Sequence, residues 1–429
     1  MEDITQWDWS PGTKEVAAIG QWGASYEWVE ELTVSPDGEQ IAAVVKTGET
    51  EYNVCVNGQT YENAYDKIWR LRFAPDGRLM GHVSDTGEWT MAIDGVAWDN
   101  AFEFVWDSQL PAVRGPVFCA AKSGQDYFSV KDGVAWENTY RNLSGLVASP
   151  DGGHSAAVVQ TVQFSEAEIF RFKEGCYSVA VDGQVWSSNF VNAWDLAFAP
   201  DGTRVAAVVR ITLYDYTIAV DGVAWPRTYP SVWRPIFGPD GRSVMAPVKT
   251  AAGWTLARDG EPFWTGPYTQ LWHPQSSHDG RRVAAIVAPR FGRWTVAVDD
   301  VPWKQTFGDC VTDLSLSADG EHIACVGIEK ERHAIVVDGR PWPGSFDMAW
   351  KPVFSADGGH VAAKAEKDGR KAILLDGHAL PGDFHDAWSP VFSPDGHFLL
   401  VRGIEGAGRD ACYRRKVIPI NTINGGKGD

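Results

Sequence analysis

Short apolar runs alternate with tight polar turns along the whole chain, and the spacing of an amphipathic helix is absent. A strand-like run leads into a Ser-Pro-Asp-Gly-like turn and out into a second apolar run, on a period of about 39 residues. The clearest turns end at Gly38, Gly77, Gly152, Gly202, Gly241, Gly280, Gly320, Gly358 and Gly396, and a degenerate copy near Leu110–Ala121 fills the double gap after Gly77. A second motif interleaves with the first. It reads M-A-I-D-G-V-A-W at Met91–Trp98, V-A-V-D-G-Q-V-W at Val179–Trp186 and I-A-V-D-G-V-A-W at Ile218–Trp225. Further copies end near Gly58, Gly133, Gly260, Asp300, Gly339 and Gly377. Asp-Gly or Asn-Gly between two apolar runs specifies a tight hairpin, because glycine accepts the positive φ of a primed turn. Each repeat therefore holds two hairpins and four strands, the content of one propeller blade.

One repeat names the strands: a is Trp194–Ala199, b is Arg204–Val209, c is Tyr216–Val220, and d starts at Val223 and runs past Trp225. Both turn types then lie on one face of a disc, with the b–c and d–a loops on the other. The Val/Ala runs Ile41–Val45, Val205–Val209 and Val283–Val287 suit a strand b covered on both sides. The two ends look complementary. Val16–Trp22 resembles the second hairpin of a blade, with Gly20 in the Asp-Gly position; Trp388–Val401 supplies a first hairpin and Ala411–Ile420 a further strand. A last blade built from both termini closes the ring and removes two sheet edges. The prediction is an all-β propeller of about ten four-stranded blades, one domain over residues 1–429 in one ring. Two smaller rings of about five blades also fit, since no Pro/Ser-rich linker divides the chain.

The period breaks once. Gly152 to Gly202 is 50 residues, and the extra ones fall between strands b and c, at about Thr161–Gly175. This insert places Phe164, Ile169, Phe170, Arg171 and Phe172 on the face opposite the Asp-Gly turns. It reads either as a docking element for a protein partner or as a lengthened hairpin folded onto its own blade.

Tryptophan stands out, at 21 residues. One series follows the second Asp-Gly by three or four residues (Trp98, Trp136, Trp186, Trp225, Trp264, Trp303, Trp342). Another precedes the first-turn glycine by eight (Trp69, Trp194, Trp233, Trp272, Trp350, Trp388). Their register with the repeat marks them as wedges between blades; an aromatic binding surface or electron-transfer stepping stones are the functional alternatives. Trp89, Trp254 and Trp294, just before strand c, are expected to be exposed contact residues.

The hydrophobic share of 44% is ample for a core, and no apolar stretch reaches the roughly 18–20 residues of a membrane span. Met1–Ser10 lacks the basic start and apolar centre of a signal peptide, which predicts a cytoplasmic protein. The six cysteines form no C-x-x-C pair, against a zinc ribbon, an ordinary iron–sulfur site or covalent haem attachment; no cofactor is expected. A net charge of −18 disfavours nucleic acid, and Arg414-Arg415-Lys416 reads as the outer face of a closing strand. No G-x-S-x-G, H-E-x-x-H, Walker loop or G-x-G-x-x-G occurs. His154, His322, His360 and His397 follow Asp-Gly turns, and Asp37, Asp76, Asp151 and Asp201 cap their own turns. His273 and His278 flank an irregular turn and are minor functional candidates. No catalytic, cofactor-binding or metal residue is assigned, and the chain is not expected to be an enzyme.

The Ser-Pro-Asp-Gly turns with a preceding Phe (Phe73, Phe198, Phe237, Phe354, Phe392) resemble the WD40-like repeats of TolB-type propellers over nearly the whole chain. TolB proteins are exported, which the N-terminus here does not suggest. More narrowly, an acidic, tryptophan-rich propeller resembles the tryptophan-rich subunits of the Tmc transmembrane redox complexes of sulfate-reducing bacteria. That resemblance implies a scaffold subunit without a redox centre. It would dock beside iron–sulfur and cytochrome subunits on the cytoplasmic side of the inner membrane, touching the membrane only through partners. A small-molecule or peptide-binding sensor using the central channel, and a propeller hydrolase or lyase, are the alternative functions.

Overall fold

A computed structural model describes residues 4–110 and 114–420, apart from the Glu166 side chain. In the repeat used above, strands a to d are Asn192–Phe198, Val205–Arg210, Tyr216–Val220 and Val223–Ala224, each antiparallel to the next. Strand d is shorter than expected and stops before Trp225, whose N–H still reaches the Ile218 carbonyl at 2.8 Å. Eight sheets repeat this order as blades 1 to 8, over residues 29–60, 67–97, 104–135, 143–185, 192–224, 236–262, 270–302 and 310–341. The remaining ten strands join as one hydrogen-bonded sheet that comprises two blades. Blade 9 spans 348–379, and blade 10 combines 384–419 with the N-terminal strand Gly12–Ala17. Of the degenerate turn at Leu110–Ala121, residues 111–113 lie outside the described residues, as do residues 1–3 of the N-terminal stretch.

Buried clusters join each blade to its successor, from blades 1 and 2 through to blades 9 and 10. A tenth cluster, with Ala17, Ile404 and Tyr413 against Ile41, Ala43 and Val45, joins blade 10 to blade 1. The cycle passes through all ten blades before it returns, so the arrangement is one ring rather than two. In blade 10, strand d (Gly12–Ala17) pairs with strand c (Cys412–Pro419), with Gly12 opposite Val417. Gly20 is not in a hairpin turn, contrary to expectation. These two strands come from opposite ends of the chain, so no turn links them. Gly20 instead sits in a short 3-10 turn, and a Cβ there would lie 2.3 Å from the Gly408 carbonyl oxygen.

The predicted basic cluster is consumed at this seam. Arg414 pairs with Glu15 and Glu405, and Lys416 pairs with Glu405. Buried Arg415 donates to the Asp37 carbonyl at 2.8 Å and lies 3.0 Å from Glu39. Buried Arg402 donates to the carbonyls of Ser35 and Pro36, and the Tyr413 hydroxyl to that of Gly38. The first Ser-Pro-Asp-Gly turn is thus held by the last blade.

The turn chemistry explains the tryptophan register. Asp94 and Gly95 have φ of 49° and 82°, the pair of positive values a type I′ turn needs. The Asp carboxylate also accepts the first N–H of strand b, as in Asp94 with Leu79 at 2.8 Å and Asp221 with Val205 at 2.9 Å. The strand-d Trp of the preceding blade lies against the turn glycine. A Cβ at Gly222 would come within 3.0 Å of Trp186, and one at Gly260 within 3.3 Å of Trp225. Glycine is therefore required twice over, for φ and for room. Blade 7 is the exception: Asp300 takes the place at φ 68°, and its carboxylate accepts the N–H groups of Thr265 and Gly266.

Candidate functional site: the face of the b–c loops

The insert forms a 3-10 helix over Glu166–Glu174, anchored where Thr161 N–H meets the Cys176 carbonyl at 2.9 Å. At its start the Ser165 carbonyl accepts the Glu168 N–H at 2.9 Å, and Ser165 Oγ donates to the Glu168 carboxylate at 3.0 Å. Arg171 lies between Glu168 (3.1 Å) and Glu174 (3.2 Å), and its guanidinium stands 5.6 Å from the half-buried Phe164 ring. Phe164 and Arg171 thus make their contacts within the insert. Ile169, Phe170 and Phe172 do not fold back; they remain 64%, 59% and 38% exposed.

Two further b–c loops expose apolar side chains. In blade 5 Ile211 is exposed and Tyr214 is 79% exposed; in blade 7 Phe291, at the tip of the b–c hairpin, is 95% exposed. The sequence reading passed over both loops. Their signal was an aromatic residue beside a turn former, in Leu213-Tyr214-Asp215 and Arg290-Phe291-Gly292.

The three tryptophans expected to be exposed are corrected. Trp89 and Trp254 are buried and Trp294 is half-buried. Each starts a strand c and packs on a Trp from strand a of its own blade, with centroids 4.4 Å apart for Trp69–Trp89, 5.4 Å for Trp233–Trp254 and 4.3 Å for Trp272–Trp294. The next blade covers the other side through a backbone bridge, Trp89 to Phe102, Trp254 to Tyr268 and Trp294 to Phe307. Exposure falls on the strand-a partners instead, with Trp69 and Trp233 nearly half exposed.

Along the channel, strand a carries a bulge that the sequence reading missed, visible as register shifts such as Trp194/Ala197 and Trp272/Gln275. At its centre Glu31, Arg70, Asp107, Asp195, His273 and Asp313 all have positive φ. Some of these side chains tie blades together: Glu31 accepts the N–H groups of Arg70 and Leu71, and Asp107 that of Leu146. A cavity of about 690 Å³ opens on the inner strands of blades 5, 6 and 7, lined by Phe198, Trp233, Trp272, Asp195, Arg234 and His273 among others. His278 lies in the first turn of blade 7 and does not meet it.

On the opposite face, His154, His322 and His360 point Nδ1 at Asp182, Asp338 and Asp376, at 2.5, 2.8 and 2.7 Å. Arg204 with Asp221 and Arg282 with Asp299 occupy the same place in other blades. The recurrence of the histidines predicted residues at a turn or at the start of strand b; in the structure these three also clip the two turns of a blade together. The hydrogen bond to Asp338 raises His322, while bonds from Ser and backbone N–H hold Asp151, Asp279, Asp319 and Asp357 low. Four of the cysteines are buried, and burial pushes the Cys119 and Cys325 thiols far up. Among the described residues, no group of three or more His, Cys, Asp or Glu side chains is placed to hold a metal ion.

One histidine differs. His82 is buried, 2.9 Å from Ser108 Oγ, and burial, reinforced by Arg70 and Arg72, lowers it to about 4. The unfolded chain takes up this proton near pH 6.5, so stability is complete above that value and declines as pH falls toward 4. The loss attributable to His82 approaches about 3 kcal/mol at the acid end. His82→Gln should therefore be less acid-sensitive than the parent. Urea midpoints at pH 7.5 and 4.5 check this; equal acid losses in both proteins would refute it.

No family model matches the chain, and no curated protein is significantly similar to it. Among solved structures, a eukaryotic initiation factor is similar at 11% identity and TM-score 0.45, covering 85% of this chain and 90% of that one. The tricorn protease is similar at 12% and TM-score 0.30, with 89% of this chain and 51% of that one covered. TolB from Acinetobacter baumannii is similar at 14% and TM-score 0.29, with 71% and 59% covered.

Proposed function

We propose that this propeller is a non-catalytic scaffold that holds protein partners through the b–c loops of blades 4, 5 and 7. The observation that carries the reading is the run of exposed Ile169, Phe170, Phe172, Tyr214 and Phe291 on one face. Large apolar side chains left in water on several loops of one face are a cost unless a partner covers them, and aromatic anchors dominate interface energy. The finer proposal is a place in a membrane-associated electron-transfer complex, on its cytoplasmic side, beside iron–sulfur and cytochrome subunits. The acidic, tryptophan-rich propeller composition supports it. Contact with the membrane is then through those subunits; among the described residues no helix is long and apolar enough to cross one.

The test is a variant carrying Ile169→Ser, Phe170→Ser and Phe172→Ser, tagged and isolated in mild detergent from the native host beside the parent. The parent is expected to bring haem-containing and iron–sulfur subunits in fixed ratio. The variant should arrive alone with its melting temperature unchanged, because these side chains touch little of the blade. Full retention of partners by the variant would defeat the docking role of the insert. A parent that arrives alone would defeat the scaffold reading.

A further inference from the structure

The channel carries an outlier that neither the docking face nor the ring closure uses. Residues before proline are driven into extended conformations by the proline ring. At the bulge position of strand a, Arg234, His273, Lys351 and Ser389 all precede a proline. Among the described residues, His273 alone combines a positive φ (48°) with a following proline. Such strain persists only where its surroundings impose it, and it gathers at binding sites. His273 is exposed and lines the 690 Å³ cavity, a volume within the range of small-ligand sites.

The walls of that cavity are mainly Phe198, Trp233, Pro235, Trp272 and Pro274, and its charged or protic groups are Asp195, Arg234 and His273. Trp233 is held as a rigid platform by near-parallel stacking on Trp254, at 8° between ring planes. Arg234 reaches only a distant Leu196 carbonyl at 3.5 Å, which leaves the other donors of its fork for a ligand. Beyond His273 a second cavity of about 430 Å³ continues to Asp313 and Lys351. Along the inner strands of blades 5 to 9 the charged residues thus alternate in sign, Asp195, Arg234, Asp313 and Lys351, with His273 between Arg234 and Asp313. A simple anion would be repelled by the two aspartates and a simple cation by Arg234 and Lys351. A molecule with both charges and an apolar body fits both the charge order and the walls.

We propose that the channel cavity on blades 5 to 7 binds a small zwitterion with an apolar side chain, either a free amino acid or a short peptide with free termini. Arg234 and His273 receive its carboxylate, Asp195 its ammonium group, and Trp233 and Trp272 its apolar part. This site is independent of the b–c loop face, so either proposal can fail alone.

Isothermal titration with phenylalanine, phenylpropionate, phenethylamine and the dipeptide Phe-Phe tests it on the intact chain. Phenylalanine or Phe-Phe should bind, and whichever binds more tightly identifies the source. Removing the ammonium or the carboxylate should weaken binding at least tenfold. His273→Asn adds no backbone strain to that of the parent, since Asn tolerates the left-handed region, and should also weaken binding at least tenfold without moving the melting temperature. Arg234→Gln and Asp195→Asn should do the same. No binding by any of the four at millimolar concentration would overturn the proposal, as would binding insensitive to all three substitutions.

Discussion

Trp225→Ala is expected to destabilise the chain by about 3–5 kcal/mol, the cost of emptying a site filled by a large buried aromatic. Trp225 is buried in the cluster between blades 5 and 6, with its ring against the Gly260 turn. Nothing nearby can collapse into that space, because Gly260 belongs to a hairpin fixed by the Asp259 carboxylate on the Val244 N–H. Trp233→Ala, one strand further on, should cost only about 1–2 kcal/mol, since that ring is 42% exposed and touches protein on one side. Urea unfolding of the two variants checks the contrast. Equal losses would mean that the two tryptophan series do not differ as their placements require.

Arg415→Ala should be nearly as severe, at about 3 kcal/mol, although arginine near a chain terminus is usually dispensable. Its side chain is buried and joins three separate segments: Asp8 in the N-terminal arm, Asp37 and Glu39 in blade 1, and its own strand in blade 10. Truncation leaves the Asp37 carbonyl without its donor and Glu39 with Lys14 as its remaining counter-charge. Arg281→Ala is the control, because Arg281 is 86% exposed and its pair with Asp279 is worth under about 0.5 kcal/mol. Thermal melts should separate the two by several degrees. Protease sensitivity of the Arg415 variant should appear first in the N-terminal strand Gly12–Ala17, which that seam retains. An Arg415 variant as stable as the Arg281 variant would show that the ring does not depend on this closure.

Blade count and strand order were readable because each rests on a turn that glycine and Asp or Asn must make; closure by both termini was readable from the incomplete blades left at the two ends of the chain. The register of the strand-d tryptophans was readable for a related reason, since all of them but Trp264 pack on the glycine of the next turn. The strand-a bulge was not. Its left-handed residue is Glu31, Arg70, Asp107, Gly145, Asp195, His273 or Asp313, and no single residue type marks the position. The exposure of paired tryptophans was inverted because Trp89 and Trp254 are sandwiched between a partner in their own blade and a loop of the next, a relation across blades that a local pattern does not carry. Gly20 was misplaced because a hairpin was assumed where two chain ends meet. The candidate face was legible only at its insert, where the period broke; Tyr214 and Phe291 sit in loops of ordinary length.

Cross-linking mass spectrometry on the native assembly tests whether partners sit on the b–c face. Lys173 in the insert, Lys249 at the end of strand b in blade 6 and Lys330 in the b–c turn of blade 8 report on the b–c face. Lys131, at the end of strand c in blade 3, reports on the face of the Asp-Gly turns. The account predicts partner cross-links from Lys173 and Lys249 and none from Lys131. Partner cross-links concentrated at Lys131, with Lys173 and Lys249 linked only within the chain, would contradict it.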